Sequence, residues 1–337
     1  MDVTSVDEIL MCADPTAWRP GDSWLAGGTV IYSYGTDITR GAPTRLLDIT
    51  GAGWAPLAWT PSGDLEIAAT CRIAELRALA DDPLPGGAHR AELPGLDVIP
   101  AACDAFVASW KIWNVSTVGG NVATALPAGP MISLLTAWDA TALILRPDGR
   151  RRRASVADLV AGPAKTRLGY GELIRSFLVP GEVLRQRHAF RRISLTERGR
   201  SAALLIGRRT AERSLRLSVT ASVFRPVVLD LQEDAPAARP RPADRTAAAW
   251  ANDRQAGRRH AGRPIPADAT AWRTAIDTAA GGTGGWYDDI HGEPEWRRLM
   301  THRLGDEILA ELLPGATGVE EARGRVTGDL RMERSTR

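Results

Sequence analysis

Apolar and polar positions along the chain follow the two periods that distinguish strands from helices. Short apolar runs bounded by Gly, Pro or Asp predict strands, and apolar residues three to four positions apart predict helices. Over the first half of the chain the two patterns alternate, which is typical of α/β or α+β proteins. The strands predicted there cover residues 23–29, 44–50, 65–70, 140–146 and 172–179. The helices predicted there cover residues 72–80, 93–110, 131–137 and 156–160.

Two further helices are predicted near the ends of the chain. Ser5 and Glu8 have the spacing of a capping box ahead of three apolar residues, which predicts a short N-terminal helix. A longer amphipathic pattern follows Glu293, and its apolar residues recur along one helical face. Those residues are Trp296, Leu299, Met300, Leu304, Ile308 and Leu312.

From His188 onward the pattern changes to four short strand-like runs at close intervals, as in an antiparallel sheet. A segment rich in Ala, Arg, Pro and Asp then has no sustained period, which predicts a low-complexity insertion over about residues 232–270. The final residues are polar and predict a flexible tail over 317–337. At 337 residues the chain is too long for one ordinary core. We therefore predict three folded units, over 1–55, 56–183 and 186–316.

Composition adds exclusions to this picture. The chain is 44% hydrophobic and 24% charged with a formal net charge of +2, which is ordinary globular material. The basic run Gly149–Arg153 follows the turn signal "RPDG", so it predicts a solvated hairpin rather than a nucleic-acid surface. The apolar run Leu134–Arg146 is interrupted by Asp139 and is too short for a membrane span. The acidic first residues lack a basic leader and predict a cytoplasmic protein.

The side chains that carry common catalytic chemistry are sparse and scattered. The three cysteines lie far apart without a C-x-x-C pair, which argues against a disulfide framework and against a metal or iron–sulfur site in this chain. The five histidines lack metal-ligand spacing, and no G-x-S-x-G elbow occurs. The carboxylates of Tyr287–Glu293 could hold a metal, but their place before a helix favours capping. We therefore assign no catalytic residue and no metal ligand.

Two glycine pairs are the strongest local signal. Gly27 and Gly28 follow a predicted strand, and Gly119 and Gly120 follow Trp110 and Trp113. Adjacent glycines let backbone N–H groups approach a phosphate closely, yet such a pair can also be a plain turn. Both pairs have threonine beside them, and neither forms the G-x-G-x-x-G or Gly-Lys-Ser/Thr pattern. Taken alone, the local chemistry leaves the phosphate cradle and the turn about equally favoured.

The two pairs in this order, "LAGGT" and later "STVGGNVATALPAGP", resemble the FAD-binding medium subunit of molybdenum hydroxylases. That family includes the flavin subunits of xanthine dehydrogenase and aerobic carbon monoxide dehydrogenase. The resemblance continues through "GELIRSFLVP", "AFRRISLTERGRSAALLIGRR" and "YDDIHGEPEWRRLM", so it covers most of the chain. It implies an α+β protein whose FAD-binding domain is of the PCMH or vanillyl-alcohol-oxidase type. In that fold, two α/β subdomains are followed by a smaller C-terminal domain with an antiparallel sheet and helices.

The resemblance also implies the cofactor and the residues that hold it. The backbone of the first motif would hold one side of the FAD pyrophosphate and the second motif the other, while an aliphatic, an aromatic and a basic residue would lie near the flavin ring. No His or Cys stands at either motif, so FAD is expected to be non-covalent. The expected cofactor-binding residues are Ala26, Gly27, Gly28, Thr29, Val30, Thr117, Val118, Gly119, Gly120, Asn121, Ile174, Phe190 and Arg191 or Arg192.

Two positions depart from the family pattern. Val30 and Pro130 stand where the family often has Asp, and the loss of the second carboxylate removes an acceptor for the adenosine half of FAD. The resemblance further implies that electrons come from [2Fe-2S] centres on a small subunit, and that substrate is oxidised on a molybdopterin-binding large subunit. NAD, oxygen or a quinone would accept the electrons. Two alternatives stay open, a stand-alone flavoenzyme acting on a small molecule and a scaffold that has lost FAD.

Overall fold

The computed structural model describes residues 5–34, 43–81, 90–211, 213–233 and 265–313. Most of the predicted insertion over 232–270 and all of the predicted tail over 317–337 lie outside the described residues. Within them, helices and strands are mixed and an antiparallel sheet follows the N-terminal half, so the predicted α+β class is confirmed.

The first sheet has three parallel strands in the order β1-β3-β2. These strands are β1 (Glu8–Met11), β2 (Asp22–Leu25) and β3 (Arg45–Asp48), with the one-turn helix α1 (Ile31–Tyr34) after β2. The predicted N-terminal helix is wrong, because residues 8–11 pair in parallel with β3. Hydrogen bonding to the β3 backbone overrides the local capping signal of Ser5 and Glu8.

The second sheet has five antiparallel strands in the order β4-β5-β10-β6-β7, and a two-stranded ribbon, β8-β9, lies beside it. The five sheet strands are β4 (Leu57–Trp59), β5 (Leu65–Ala68), β6 (Thr141–Leu145), β7 (Arg151–Ser155) and β10 (Leu173–Val179), and the two ribbon strands are β8 (Val160–Gly162) and β9 (Lys165–Thr166). Its helices are α2 (Ile73–Ala78), α3 (Ile99–Asp104), α4 (Trp110–Trp113), α5 (Val118–Thr124), α6 (Pro130–Ala137), α7 (Val156–Leu159) and α8 (Gly181–Leu184). One apolar core joins the inner face of the sheet to these helices. The hairpin predicted at Gly149–Arg153 is confirmed by the pairing of β6 with β7.

The helix predicted over residues 93–110 is instead broken into three pieces. A 3₁₀ turn at Pro94–Val98 leads into α3, and the chain leaves the helix at Val107, whose φ of 44° is left-handed. A helix then restarts at Trp110. Pro100 lies in the first turn of α3, where the missing N–H costs no helical hydrogen bond. The continuous apolar pattern therefore conceals two chain breaks.

The third sheet begins with four antiparallel strands, as predicted, and a short parallel strand completes it. These are β11 (His188–Ile193), β12 (Ala203–Ala211), β13 (Ser214–Thr220), β14 (Val227–Gln232) and β15 (Ile265–Pro266). Two helices, α9 (Ala269–Thr283) and α10 (Pro294–Leu312), cover one face of this sheet and share its core.

The buried face of α10 differs in part from the prediction. Leu304, Ile308 and Leu312 are buried as predicted, but Leu299 is 50% exposed. Arg297 is buried at 1% exposure instead, because its guanidinium donates to the carbonyls of Gly292, Ala202 and Ala221 and to the Asp289 carboxylate. The buried face of α10 therefore includes the charged Arg297, and it does not include Leu299, which the apolar pattern placed there.

The other face of the third sheet packs against α6 of the second unit. The Ser133 and Thr220 hydroxyls lie 2.5 Å apart across this contact, and the Ala221 N–H donates to the Pro127 carbonyl at 2.9 Å. Asp139, at the end of α6, pairs with Arg208 and Arg216. These contacts fix the third sheet beside the segment that carries the second glycine pair.

Candidate functional site: two glycine motifs

The first glycine motif leaves β2 at the carboxyl end of the parallel sheet, where open α/β sheets place their ligands. In the part of the chain that the structure describes, the backbone N–H groups of Ala26, Gly27, Gly28, Thr29 and Val30 have no acceptor. Gly28 has a φ of +68°, which L-residues rarely adopt. A run of unpaired amides around a left-handed glycine is suited to form an anion-binding nest.

The second glycine motif begins helix α5, and its amides are already used within the protein. The Thr117 hydroxyl caps the helix by accepting from the Gly120 N–H at 3.0 Å. The N–H groups of Val118 and Gly119 donate to the carbonyls of Cys71 and Ala69, and that of Asn121 donates within the helix. We expected the backbone of 117–121 to contact the pyrophosphate, but in this chain four of those five amides already have acceptors.

Gly119 is a packing position. A Cβ added there would lie 2.5 Å from the Ala69 Cβ and 2.6 Å from the Ala69 carbonyl oxygen. The glycine thus lets helix α5 approach the residue that follows β5. At Gly120 an added Cβ would meet only the Thr117 hydroxyl at 3.0 Å. The two adjacent glycines therefore differ in what they do.

The two motifs contact each other directly. An added Cβ on Gly27 would lie 1.8 Å from the carbonyl oxygen of Val115, so only glycine permits this approach. The Ser116 hydroxyl donates to the Thr29 hydroxyl at 3.2 Å. Gly27 and Thr29 are among the residues expected from the sequence, and Ser116 opens the quoted second motif. Val115 has no signal in the sequence, because only its backbone takes part in the contact.

Asn121 and Pro130 meet at the start of α6. The Asn121 side-chain oxygen accepts from the Met131 N–H at 3.1 Å. Pro130 is buried in the first turn of α6, and Gly129, the N-cap residue, makes no side-chain cap. The Asn121 amide therefore caps α6 from outside that helix. It does so at the turn where the family often places a carboxylate.

The remaining predicted residues lie on β10 and β11. Ile174 is 4% exposed and packs in the core of the five-stranded sheet. Phe190 packs between that core and the third sheet. Arg191 points the opposite way and pairs with Glu307 and Glu311 on α10, as expected for the period of two along a strand.

Arg192 returns to the Phe190 side of β11. Its guanidinium donates to the Gly199 carbonyl at 2.6 Å, and its buried Nε has no partner among the described residues. Burial lowers the pKa of Arg192, and the charge of Asp104 at the end of α3 offsets part of this effect. Arg192 thus keeps a spare donor on the Phe190 side of β11, whereas both ends of Arg191 are held by α10, so Arg192 suits the expected basic position better than Arg191 does.

The three cysteines and the carboxylates of residues 287–293 have structural surroundings rather than those of a reactive or metal-binding site. All three cysteines are free, and burial raises the pKa of the Cys71 thiol and raises that of Cys103 to about 12, so both stay protonated. Among the described residues no group of three or more His, Cys, Asp or Glu could hold a metal. Asp289 accepts from the His291 N–H and pairs with Arg297, whereas the N-cap residue Glu293 makes no side-chain cap. The predicted side-chain cap of α10 is therefore wrong, because Arg297 holds the Asp289 carboxylate in the preceding turn and Glu293 makes no bond to the helix amides.

Comparison with known families shows which cofactor the chain binds. The family model described as the FAD binding domain in molybdopterin dehydrogenase matches residues 3–182. The chain belongs to this family. FAD is therefore its cofactor, and the chain is a flavoprotein of the molybdenum-hydroxylase type with an oxidoreductase role. The nest of unpaired amides at Ala26–Val30 fits the pyrophosphate that FAD carries.

Solved structures share the fold over nearly the whole chain. Quinoline 2-oxidoreductase from Pseudomonas putida 86 matches with a TM-score of 0.66 and 19% identity, covering 94% of this chain and 99% of that one. A carbon monoxide dehydrogenase from Hydrogenophaga pseudoflava, in a form lacking the Mo-pyranopterin moiety of its molybdenum cofactor, matches at 0.61 and 16%, covering 90% and 96%. Reconstituted CO dehydrogenase from Oligotropha carboxidovorans matches at 0.61 and 17%, covering 90% and 96%. No curated protein sequence matches the chain. In the described part of the chain, no helix is long and apolar enough to cross a membrane.

Proposed function

We propose that this chain is the electron-transfer flavoprotein of a molybdenum-containing hydroxylase or dehydrogenase complex. It would receive electrons from [2Fe-2S] clusters on a small subunit, while a molybdopterin-binding large subunit oxidises the substrate. Residues 1–55 and 56–183 would form the two FAD-binding subdomains, and 186–316 the C-terminal domain. The observation that carries the proposal is the open amide nest of Ala26–Val30, in a family defined by FAD binding.

The first motif would hold the FAD pyrophosphate through backbone amides. Five consecutive N–H groups without acceptors in the described part of the chain suit the several oxygens of a pyrophosphate, and amides held in place by the fold need little reorganisation on binding. Gly27 and Gly28 would keep the nest open, since a side chain at either position collides with Val115 or Tyr32. Val30 would contribute only its N–H, so the absence of a carboxylate there leaves the amide contacts intact.

The second motif would act mainly by holding the first in place. Its helix is fixed by Ala69 and Cys71, and its preceding residues touch Gly27 and Thr29. The Ser116 and Thr117 hydroxyls are buried and bonded within the protein, so the group that it still offers to a ligand is the side-chain NH2 of Asn121. We propose that the Asn121 side chain, rather than the helix amides of Val118–Asn121, faces the bound cofactor.

Phe190 and Arg192 would lie on the flavin side of the third sheet. The spare Nε–H of Arg192 is a donor for a ring oxygen or nitrogen, and its positive charge would stabilise negative charge on the ring. Ile174 would support this region from the sheet core, while Arg191 is held by two glutamates of α10.

When bound, FAD supplies the redox chemistry, and the protein supplies binding, orientation and electrostatics. No residue of this chain is proposed as a general acid, general base or covalent anchor. An acceptor such as NAD, oxygen or a quinone would take the electrons from the complex, and the setting would be the cytoplasm. The large subunit would then determine which organic substrate is used.

The experiment is purification of the chain alone and together with subunits encoded beside it. We expect the lone chain to bind FAD without covalent attachment and to show no steady turnover of organic substrates, while the assembled complex turns over. Sustained oxidation of a small molecule by the lone chain would instead establish a stand-alone flavoenzyme. A lone chain that takes up no flavin would establish the scaffold.

A further inference from the structure

A cleft of about 430 Å³ lies on the face of the five-stranded sheet that is turned away from the helices. Leu143 and Leu145 on β6 form part of its floor. The alternate residues of the same strand, Ala142 and Ile144, face the helical core on the other side of the sheet. Ala13, just after β1, closes the cleft from the first sheet. The sheet thus separates this cleft from α5 and from the second glycine motif.

A β-bulge places a charged side chain in the cleft. Pairing between β10 and β6 shifts register between Ile174 and Ser176, so Arg175 is the extra residue of the bulge. Bulges re-aim side chains at ligand sites. The Arg175 guanidinium lies 4.5 Å from the centre of the Trp54 ring, and both residues line the cleft.

Positive charge in the cleft exceeds negative charge. Arg151 on β7 lines it, and its side chain has no ion-pair or hydrogen-bond partner among the described residues. Arg175 reaches the Glu66 carboxylate only at 3.9 Å, longer than a charge-assisted hydrogen bond. The cleft therefore has two guanidinium groups with available N–H donors, those of Arg151 and Arg175, and one carboxylate, that of Glu66.

We propose that this cleft binds a planar aromatic molecule that carries one anionic group. The indole of Trp54 and the two leucines suit the ring, and the guanidinium groups of Arg151 and Arg175 suit a carboxylate or a phosphate. The volume is at the low end of ligand pockets, so the cleft accommodates one ring system and one anionic group rather than a dinucleotide. The site is separate from the FAD site and does not depend on the proposed electron-transfer role.

The test is calorimetric titration of the FAD-loaded chain with two probes, naphthalene-2-carboxylate and AMP. Binding of the first alone indicates an aromatic carboxylate, and binding of AMP alone or of both indicates that a phosphate is accepted. Neutral naphthalene-2-carboxamide should bind at least about tenfold more weakly than the carboxylate. Arg151→Gln and Arg175→Gln should each weaken the bound probe about tenfold or more.

Arg153→Gln is the matched control, because Arg153 lies two residues from Arg151 on the same face of β7 but outside the cleft. It should bind the probes like the unchanged chain. The flavin spectrum should be unchanged in all three variants, which keeps this result separate from FAD binding. The proposal is overturned if neither probe binds at about 1 mM. It is also overturned if exposed Arg151→Gln binds as tightly as Arg153→Gln.

Discussion

The two neighbouring glycines of the second motif provide a matched pair of perturbations. In Gly119→Ala the new Cβ would lie 2.5 Å from the Ala69 Cβ and 2.8 Å from its Cα, and neither atom belongs to a flexible chain end. Helix α5 must therefore move away from the end of β5. Overpacking of this kind costs about 1–3 kcal/mol. The shift also strains the 2.9 Å bond from the Gly119 N–H to the Ala69 carbonyl, worth about 1 kcal/mol.

Helix propensity works in the other direction in both variants. Alanine favours a helix interior over glycine by about 1 kcal/mol. In Gly120→Ala this gain meets only a contact of 3.0 Å with the Thr117 hydroxyl, which can move by a few tenths of an ångström. We expect Gly120→Ala to change the free energy of unfolding by less than about 1 kcal/mol, and Gly119→Ala to lower it by about 1–3 kcal/mol.

The assay is urea denaturation of the FAD-free chain, followed by titration of each variant with FAD. Gly119→Ala should also weaken FAD binding, because α5 carries the segment that holds the first motif. Equal stabilities of the two variants would refute the assignment of Gly119 to packing and Gly120 to the capped turn. A loss of FAD affinity in Gly120→Ala but not in Gly119→Ala would also refute this assignment.

Four further changes test other parts of the molecule. Gly27→Ala places a Cβ 1.8 Å from the Val115 carbonyl oxygen, which must push the two motifs apart and weaken FAD binding. The absorption spectrum of the purified variant should therefore lose most of the flavin band at about 450 nm. Thr117→Val removes the cap of α5 and should cost about 1 kcal/mol in urea denaturation, whereas Thr117→Ser should restore it. Arg297→Met leaves three carbonyls and a carboxylate without their donor and should cost about 3 kcal/mol or more, measured by thermal unfolding. Burial lowers the pKa of His188 to about 4 from 6.5, so the folded chain favours the neutral ring. The free energy of unfolding should therefore fall as the pH drops from about 6.5 to 4, and His188→Gln should flatten that part of its pH profile.

Local patterns predicted the elements whose partners are also local. The β6–β7 hairpin and the four strands β11–β14 follow from apolar runs and turn residues, and the structure confirms them. Residues 8–11 read as a helix locally and form a strand because β3, distant in sequence, offers its edge. On α10 the helical period identified Leu304, Ile308 and Leu312 but could not show that backbone carbonyls from other elements bury Arg297.

The candidate site was predicted from motif resemblance, and its atomic roles needed coordinates. The resemblance named both glycine pairs, and the family match supports FAD as the ligand. Which amides remain free depends on acceptors such as Ala69 and Cys71, which lie far from Gly119 in sequence. For the same reason the contact between Gly27 and Val115 has no sequence signature.

We infer that the open amides of Ala26–Val30 hold the FAD pyrophosphate. Titration of the flavin-free chain with FAD, FMN and riboflavin tests it most directly, because the three share the ring and carry a pyrophosphate with adenosine, one phosphate and no phosphate, respectively. We expect FAD to bind at least about a hundredfold more tightly than riboflavin, the difference expected for two or more charge-assisted hydrogen bonds, with FMN between them. Equal affinities for riboflavin and FAD would show that these amides do not hold the pyrophosphate.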